Sequence, residues 1–362
     1  MRLTMAVDTT NDKSNSQPDN TDRPYSPSWI DRINDWVEGL PGSSWMYYLG
    51  IWFLLLMIMS IVAWIEGALR TGTFLPAHAF VAAAIGIILT LFYYLDEWAG
   101  TALEKLRQAL DVDEEEYQIL HFKITTLPSG LTLLVSLITI IIIILSEFTF
   151  GAYQHDNLTS YPISATILRV FYFIGWGFFG AYAYHTIHQL RLINKIYTQN
   201  TRINLFRMKP LYSFSSLSAF TAGSLAFLTY GWMLVNPDIS ITDPSSVIAS
   251  IIIMLLALIA FLLPQLGIHR LQVDEKDRLL DEAGQRLEAT VLKLNACLDE
   301  GKYEELNSLN TALSSLEREI GMLKKISTWP WQPETVRWLA TALLLPLGLW
   351  LLQYVLTRLL SP

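Results

Sequence analysis

The chain has 362 residues, of which 52% are hydrophobic and 16% charged, and its formal net charge is −8. Soluble globular chains carry about a quarter charged residues, so this deficit points to lipid as part of the solvent. The acidic balance leaves no basic stripe for phosphates and excludes nucleic acid as a partner. The single cysteine, Cys297, excludes an intramolecular disulfide and a thiol-rich metal site.

Residues 1–27 are rich in Asp, Asn, Ser, Thr and Pro and read as a disordered N-terminal tail. The first apolar run opens only at Trp45, so no cleavable signal peptide is expected. Apolar runs, uncharged but for Arg169, then recur at 45–65, 76–95, 129–146, 163–187, 211–236, 245–268 and 338–357. A helix needs roughly 20 apolar residues to cross the hydrocarbon. The pattern therefore predicts an all-α polytopic membrane protein with seven transmembrane helices, six of them within 28–268 and the seventh within 330–362.

The basic residues orient these spans. Arg2, Lys13, Arg23 and Arg32 precede the first span, and the 97–128 loop holds Lys105, Arg107 and Lys123. Arg191, Lys195, Arg202, Arg207 and Lys209 fill 188–210, and nine more lie in 269–329. The 147–162 and 237–244 loops hold none, and 66–75 holds only Arg70. Basic loops stay cytoplasmic, so the N-terminus is expected inside and the C-terminus outside. This pattern and the missing signal fit a prokaryotic inner membrane.

The sixth span continues past His269 into a charged amphipathic segment, 269–329. Val273, Leu280, Leu287 and Leu294 repeat every seven residues, with Ala283 and Cys297 near the intervening seam positions. After a turn at 299–302, Leu306, Leu309, Leu313, Leu316, Ile320 and Leu323 keep strict a/d spacing. Two such arms form a coiled-coil-like antiparallel hairpin, each about 38 Å long at about 1.5 Å per residue. It is expected to serve as a cytoplasmic anchor for assembly and to couple subunits to the last span; the competing role is a stiff connector. Pro330 and Pro333 break the helix before that span. A helical stripe through Leu190, Ile193, Ile196 and Tyr197 also extends the fourth span inward, making 188–210 a cytoplasmic extension.

Ionisable groups inside the bilayer are few. Arg169 is expected to snorkel rather than to pair with Glu147 or Asp156. Asp96, Glu97 and Glu66 stand at span ends, where water can solvate them. His185 and His188 are three apart, as two metal ligands would be, but no third ligand is near in sequence, so no metal site is expected. There is no HExxH, GxSxG or P-loop, so neither catalysis nor a cofactor is expected. Tyr94, Trp176, Phe179 and Tyr230 could line a pocket for a small organic ligand, with ordinary aromatic packing as the competing role. In the last span Leu349, Gln353 and Thr357 form one stripe. An apolar constriction with uncharged polar groups beyond it suits a cation pore, while hydrogen bonding between helices is the alternative use.

With Gln353-Tyr354 in its last span, this architecture resembles the insect odorant and gustatory receptor class of seven-helix ligand-gated ion channels, although Pro346-Leu347 stand where that class carries Thr-Tyr. The resemblance implies that 303–325 is the cytoplasmic arm of the seventh helix and 334–360 its pore-lining membrane arm. It further implies a tetramer held by the cytoplasmic anchors, with a ligand pocket among the outer halves of the spans. The expected function is a homotetrameric cation channel gated by a small organic ligand. The alternative is a non-conducting membrane sensor or scaffold that recruits a partner through the hairpin.

Overall fold

The computed structural model describes residues 23–150, 160–200, 205, 213–235, 244–329, 337, 340 and 341. Regular structure among them is helical: α1 (Trp29–Glu38), α2 (Ser44–Ile65), α3 (Pro76–Leu106), α4 (Glu114–Thr125), α5 (Ser129–Phe150), α6 (Pro162–Asn200), α7 (Ser213–Val235), α8 (Pro244–Asp299) and α9 (Tyr303–Lys325). Six of these are long and apolar enough to cross a membrane: α2, α3, α5, α6, α7 and α8. Most of the expected seventh span lies outside the described residues, and so do Leu349, Gln353 and Thr357.

Local chemistry explains where the helices begin. Ser28 and Asp31 form a capping box on α1, the Ser28 hydroxyl accepting from the Asp31 amide and the Asp31 carboxylate from the Ser28 amide. Asp113 caps α4 through the Glu116 amide, with Glu114, Glu115 and Glu116 in its first turn, where the helix dipole favours anions. Pro76 and Pro162 stand at the first positions of α3 and α6, where a missing N–H costs nothing.

The core sits along α3. Phe92, Leu95, Leu103 and Leu106 of this helix are fully buried against Tyr182 and Ile193 of α6 and Phe214 and Leu225 of α7, within one cluster. α5 packs mainly on α6 and turns Leu133, Leu137, Ile141 and Leu145 outward, as a lipid-facing helix must. The α5–α6 contact is close because α6 presents glycine. A Cβ on Gly180 would overlap the Thr139 side chain, and one on Gly177 would lie 2.9 Å from Ile140.

Several helices outrun the bilayer. α6 spans 39 residues and α8 spans 56, about 58 and 84 Å at about 1.5 Å per residue. The far half of α8 pairs with α9 across a turn in which Gly301 adopts φ +71°, a left-handed conformation that favours glycine. Leu306, Leu309, Leu313, Leu316 and Ile320 are half-buried and Leu323 is buried, while the residues between them are mostly exposed. Val273, Leu280, Leu287 and Leu294 of α8 are likewise half-buried. The two arms thus satisfy each other's seams.

Three details depart from expectation. Residues 23–27 do not belong to a disordered tail: Tyr25 donates to the Thr126 carbonyl at 2.8 Å, Ser26 bonds Ser129 at 2.7 Å, and Pro27 bridges Pro128. Arg169 pairs with Glu147 at 2.9 Å rather than snorkelling alone, because the partner at the end of α5 lies within reach. Glu66 is no free span-end carboxylate. It accepts from the amides of Ile163 and Ser164, at 2.9 and 2.7 Å, and caps α6 from a neighbouring helix.

Candidate functional site

Two arrangements stand out at the end of the bundle from which the hairpin projects. The first is an open cavity of about 640 Å³ between α1, α3 and α4. Asp31, Asp35 and Glu38 reach it from α1, and Asp96, Glu97 and Glu104 from α3, opposite Arg107, Tyr117 and His121. Arg107 is already occupied: it pairs with Glu114 and lies over the Tyr117 ring at 4.6 Å. The cavity therefore presents a negative field to whatever enters it.

Asp31 holds this end together. Besides capping α1, it accepts from the Leu127 amide at 3.0 Å, tying α1 to the segment that joins α4 and α5. Partial burial, and then the nearby Asp31, raise the Asp35 pKa above the usual carboxylate range, against a lowering by Arg23. Glu38 is raised by partial burial and by the carboxylates of Asp35 and Glu97. Burial lowers His121, although Glu104 opposes the shift. The signs follow from linkage. A raised carboxylate binds its proton more tightly when folded, so stability rises as pH falls into its titration range. A lowered histidine contributes stability above its ordinary pKa and loses it on acidification. Glu38→Gln is accordingly expected to raise the melting temperature at pH 7 and to flatten its rise towards pH 5, as read by thermal unfolding in detergent across that range. An unchanged pH profile would show that Glu38 feels no such field.

Asp96 forms one wall of the cavity and reaches into the core. Its Oδ1 lies 2.8 Å from His185 Nε2 and accepts from Gln189 at 3.2 Å. Gln189 also donates to the Ile124 carbonyl, and His188 Nε2 lies 3.1 Å from the Lys123 carbonyl. The two histidines serve different partners. No group of three or more His, Cys, Asp or Glu side chains able to hold a metal occurs among the described residues.

The second arrangement fastens the hairpin. Midway along α8, where the hairpin begins, the His269 ring stacks on Trp329 with centroids 4.0 Å apart and planes 7° from parallel. His269 Nδ1 lies 2.9 Å from the Thr328 carbonyl. Lys276 donates to the carbonyls of Lys324 and Ile326 at 2.9 and 2.8 Å, where α9 ends and its last carbonyls lack helical donors. The segment that follows α9 is thus clamped to α8 as it leaves the hairpin.

The expected aromatic pocket is not reproduced by this cavity, which none of its four residues lines. Trp176 and Phe179 pack edge to face on each other at 5.4 Å, Tyr94 packs on Tyr93 at 5.1 Å, and Tyr230 is half-buried on α7. Sequence reading missed the cavity because it treated 97–128 as a loop and left α1 unread. Signals were present: Ser28-x-x-Asp31 before Val37, and Asp113 before Tyr117, Leu120 and Ile124 at helical spacing.

Fold and sites together define an integral membrane protein whose described residues are helical, with six apolar helices and a paired-arm hairpin. No family model, curated protein or solved structure matches the chain.

Proposed function

We propose that this chain is the subunit of a homotetrameric cation channel in a prokaryotic inner membrane. It has seven spans, its N-terminus is cytoplasmic, and the last span lines the pore. The observation that carries this reading is the clamp at His269, Lys276 and Trp329. It makes the hairpin and the entry to the last span move as one body, which is what an anchor that gates a pore requires. The acidic cavity at the same end favours cations over anions near an inner mouth. A small organic ligand among the outer halves of the spans, near Trp176 and Tyr230, gates the pore. Purified protein in planar bilayers is expected to pass monovalent or divalent cations. Leu349→Ala and Gln353→Ala should change conductance, and Trp329→Ala should change open probability while leaving conductance alone. Electrical silence together with a monomeric native mass would exclude the channel.

One observation favours a second reading. The heptad seams of the hairpin face each other within one chain, so they do not call for a second copy. A non-conducting sensor or scaffold that recruits a partner through the polar outer faces of 269–329 then follows. It predicts a monomer or dimer without an axial pore, and a soluble protein retained by the hairpin.

A further inference from the structure

The core-facing side of α8 carries Ala257, Phe261, Gln265, Ile268 and Gln272, all of them buried. Phe261 and Ile268 belong to the cluster built with Ile193 and Ile196 of α6 and Phe214 of α7. The helical period asks for apolar residues along this stripe, yet two of its positions are carboxamides. Gln265 and Gln272 are both 0% exposed, and among the described residues the oxygen and nitrogen of each side chain lack a hydrogen-bond partner. A carboxamide offers two donors and two lone pairs, and leaving them unpaired in a dry interior costs as much as losing the bonds outright.

Two further features lie at the same level. Pro264 has no N–H, so the buried Ala260 carbonyl lacks its helical donor. Across from it, the Asn194 Oδ1 of α6 sits so close to Gly267 that any side chain there would meet it. Freed carbonyls and buried amides at membrane depth are satisfied by neighbouring helices or by water. Seven residues separate the glutamines by about 10 Å along the axis, too far for one ion to bridge.

We infer that Gln265 and Gln272 line a file of bound water on the core-facing side of α8. The file is a hydrated path that runs through the hairpin end of the bundle towards the clamp at His269 and Lys276. The inference goes beyond the channel reading, since it rests on buried polar atoms among the described residues and not on the last span.

The single cysteine makes the test direct. With Cys297→Ser as background, Gln265→Cys, Gln272→Cys and Ala257→Cys are introduced singly into the full chain. The purified proteins in detergent are exposed to 2-aminoethyl methanethiosulfonate, a small cation that reaches thiols through water. Intact mass is expected to show an adduct at 265 and at 272 and none at 257, with wild-type Cys297 as the reactive reference. Protection at either glutamine position breaks the file and overturns the inference. Should a cysteine variant fail to fold, Gln265→Met with Gln272→Met decides. Hydrated amides predict a lowered melting temperature, whereas dry ones predict a raised temperature, which would overturn the inference. Neither readout depends on conduction, so failure here and failure of the channel reading are distinguishable.

Discussion

Asp96→Ala is expected to cost about 3 kcal/mol, the range for removing one member of a buried polar pair and leaving the other unsatisfied. His185 is 1% exposed, and its Nδ1 already has no partner. Its ring is held edge-on to Phe92 at 4.9 Å and stacks on Tyr182 at 6.4 Å, so it cannot swing out to find water. Without the Asp96 carboxylate both ring nitrogens are orphaned, and Gln189 keeps only the Ile124 carbonyl. Asp96→Asn retains an oxygen at the same place and should cost about 1 kcal/mol, the net worth of an ordinary hydrogen bond. Unfolding in mixed micelles would measure both, and a double-mutant cycle with His185→Ala should return a coupling of about 1–3 kcal/mol. A change below about 0.5 kcal/mol in Asp96→Ala, within the usual scatter for surface substitutions, would mean that the pair does not hold α3 to α6.

Gly180→Leu should be at least as damaging, by a different route. At Gly180 the α6 backbone lies against the Thr139 side chain, and at Gly177 it lies against Ile140. A leucine there forces the helices apart. Overpacking costs typically about 1–3 kcal/mol in a core that can shift. Among the described residues α5 has few contacts beyond α6, so separation would release most of its packing, including the Arg169–Glu147 pair at its far end. The expected result is a loss of about 3 kcal/mol and protease sensitivity confined to α5. Gly130→Ala is the control, since nothing lies within 4 Å of a Cβ there. Gly180→Ala combined with Thr139→Ala should recover part of the loss, because the clash is with that side chain. If Gly180→Leu matched Gly130→Ala, the close approach would not be what seats α5.

Membrane insertion was legible in the sequence because hydrocarbon imposes one rule on every span, about 20 apolar residues with internal hydrogen bonds. The heptads of 273–297 and 306–323 were legible for a similar reason: a seam repeats, and repetition survives without knowledge of its partner. The chemistry at the hairpin end was not legible in the same way. Asp96 read as a solvated span-end carboxylate, since nothing within a few residues of it says that His185 and Gln189 lie opposite. The distance from Asp96 to His185 is 89 residues along the chain and 2.8 Å in space. Glu66 misled for the same reason, its partners on α6 lying nearly a hundred positions away.

By itself, then, the sequence determined the class of the molecule, a helical membrane protein with a paired-arm hairpin, and of the seven spans it predicts six are among the described helices. Those properties follow from local composition and period, which each segment carries alone. Only the tertiary structure decided that α1 and α4 fold over the end of α3 to form an acidic cavity, that Trp329 locks onto His269, and that Gln265 and Gln272 face the core without partners among the described residues. Each of these depends on which surfaces meet once long helices pack, and a pairing between distant surfaces leaves no period in the chain.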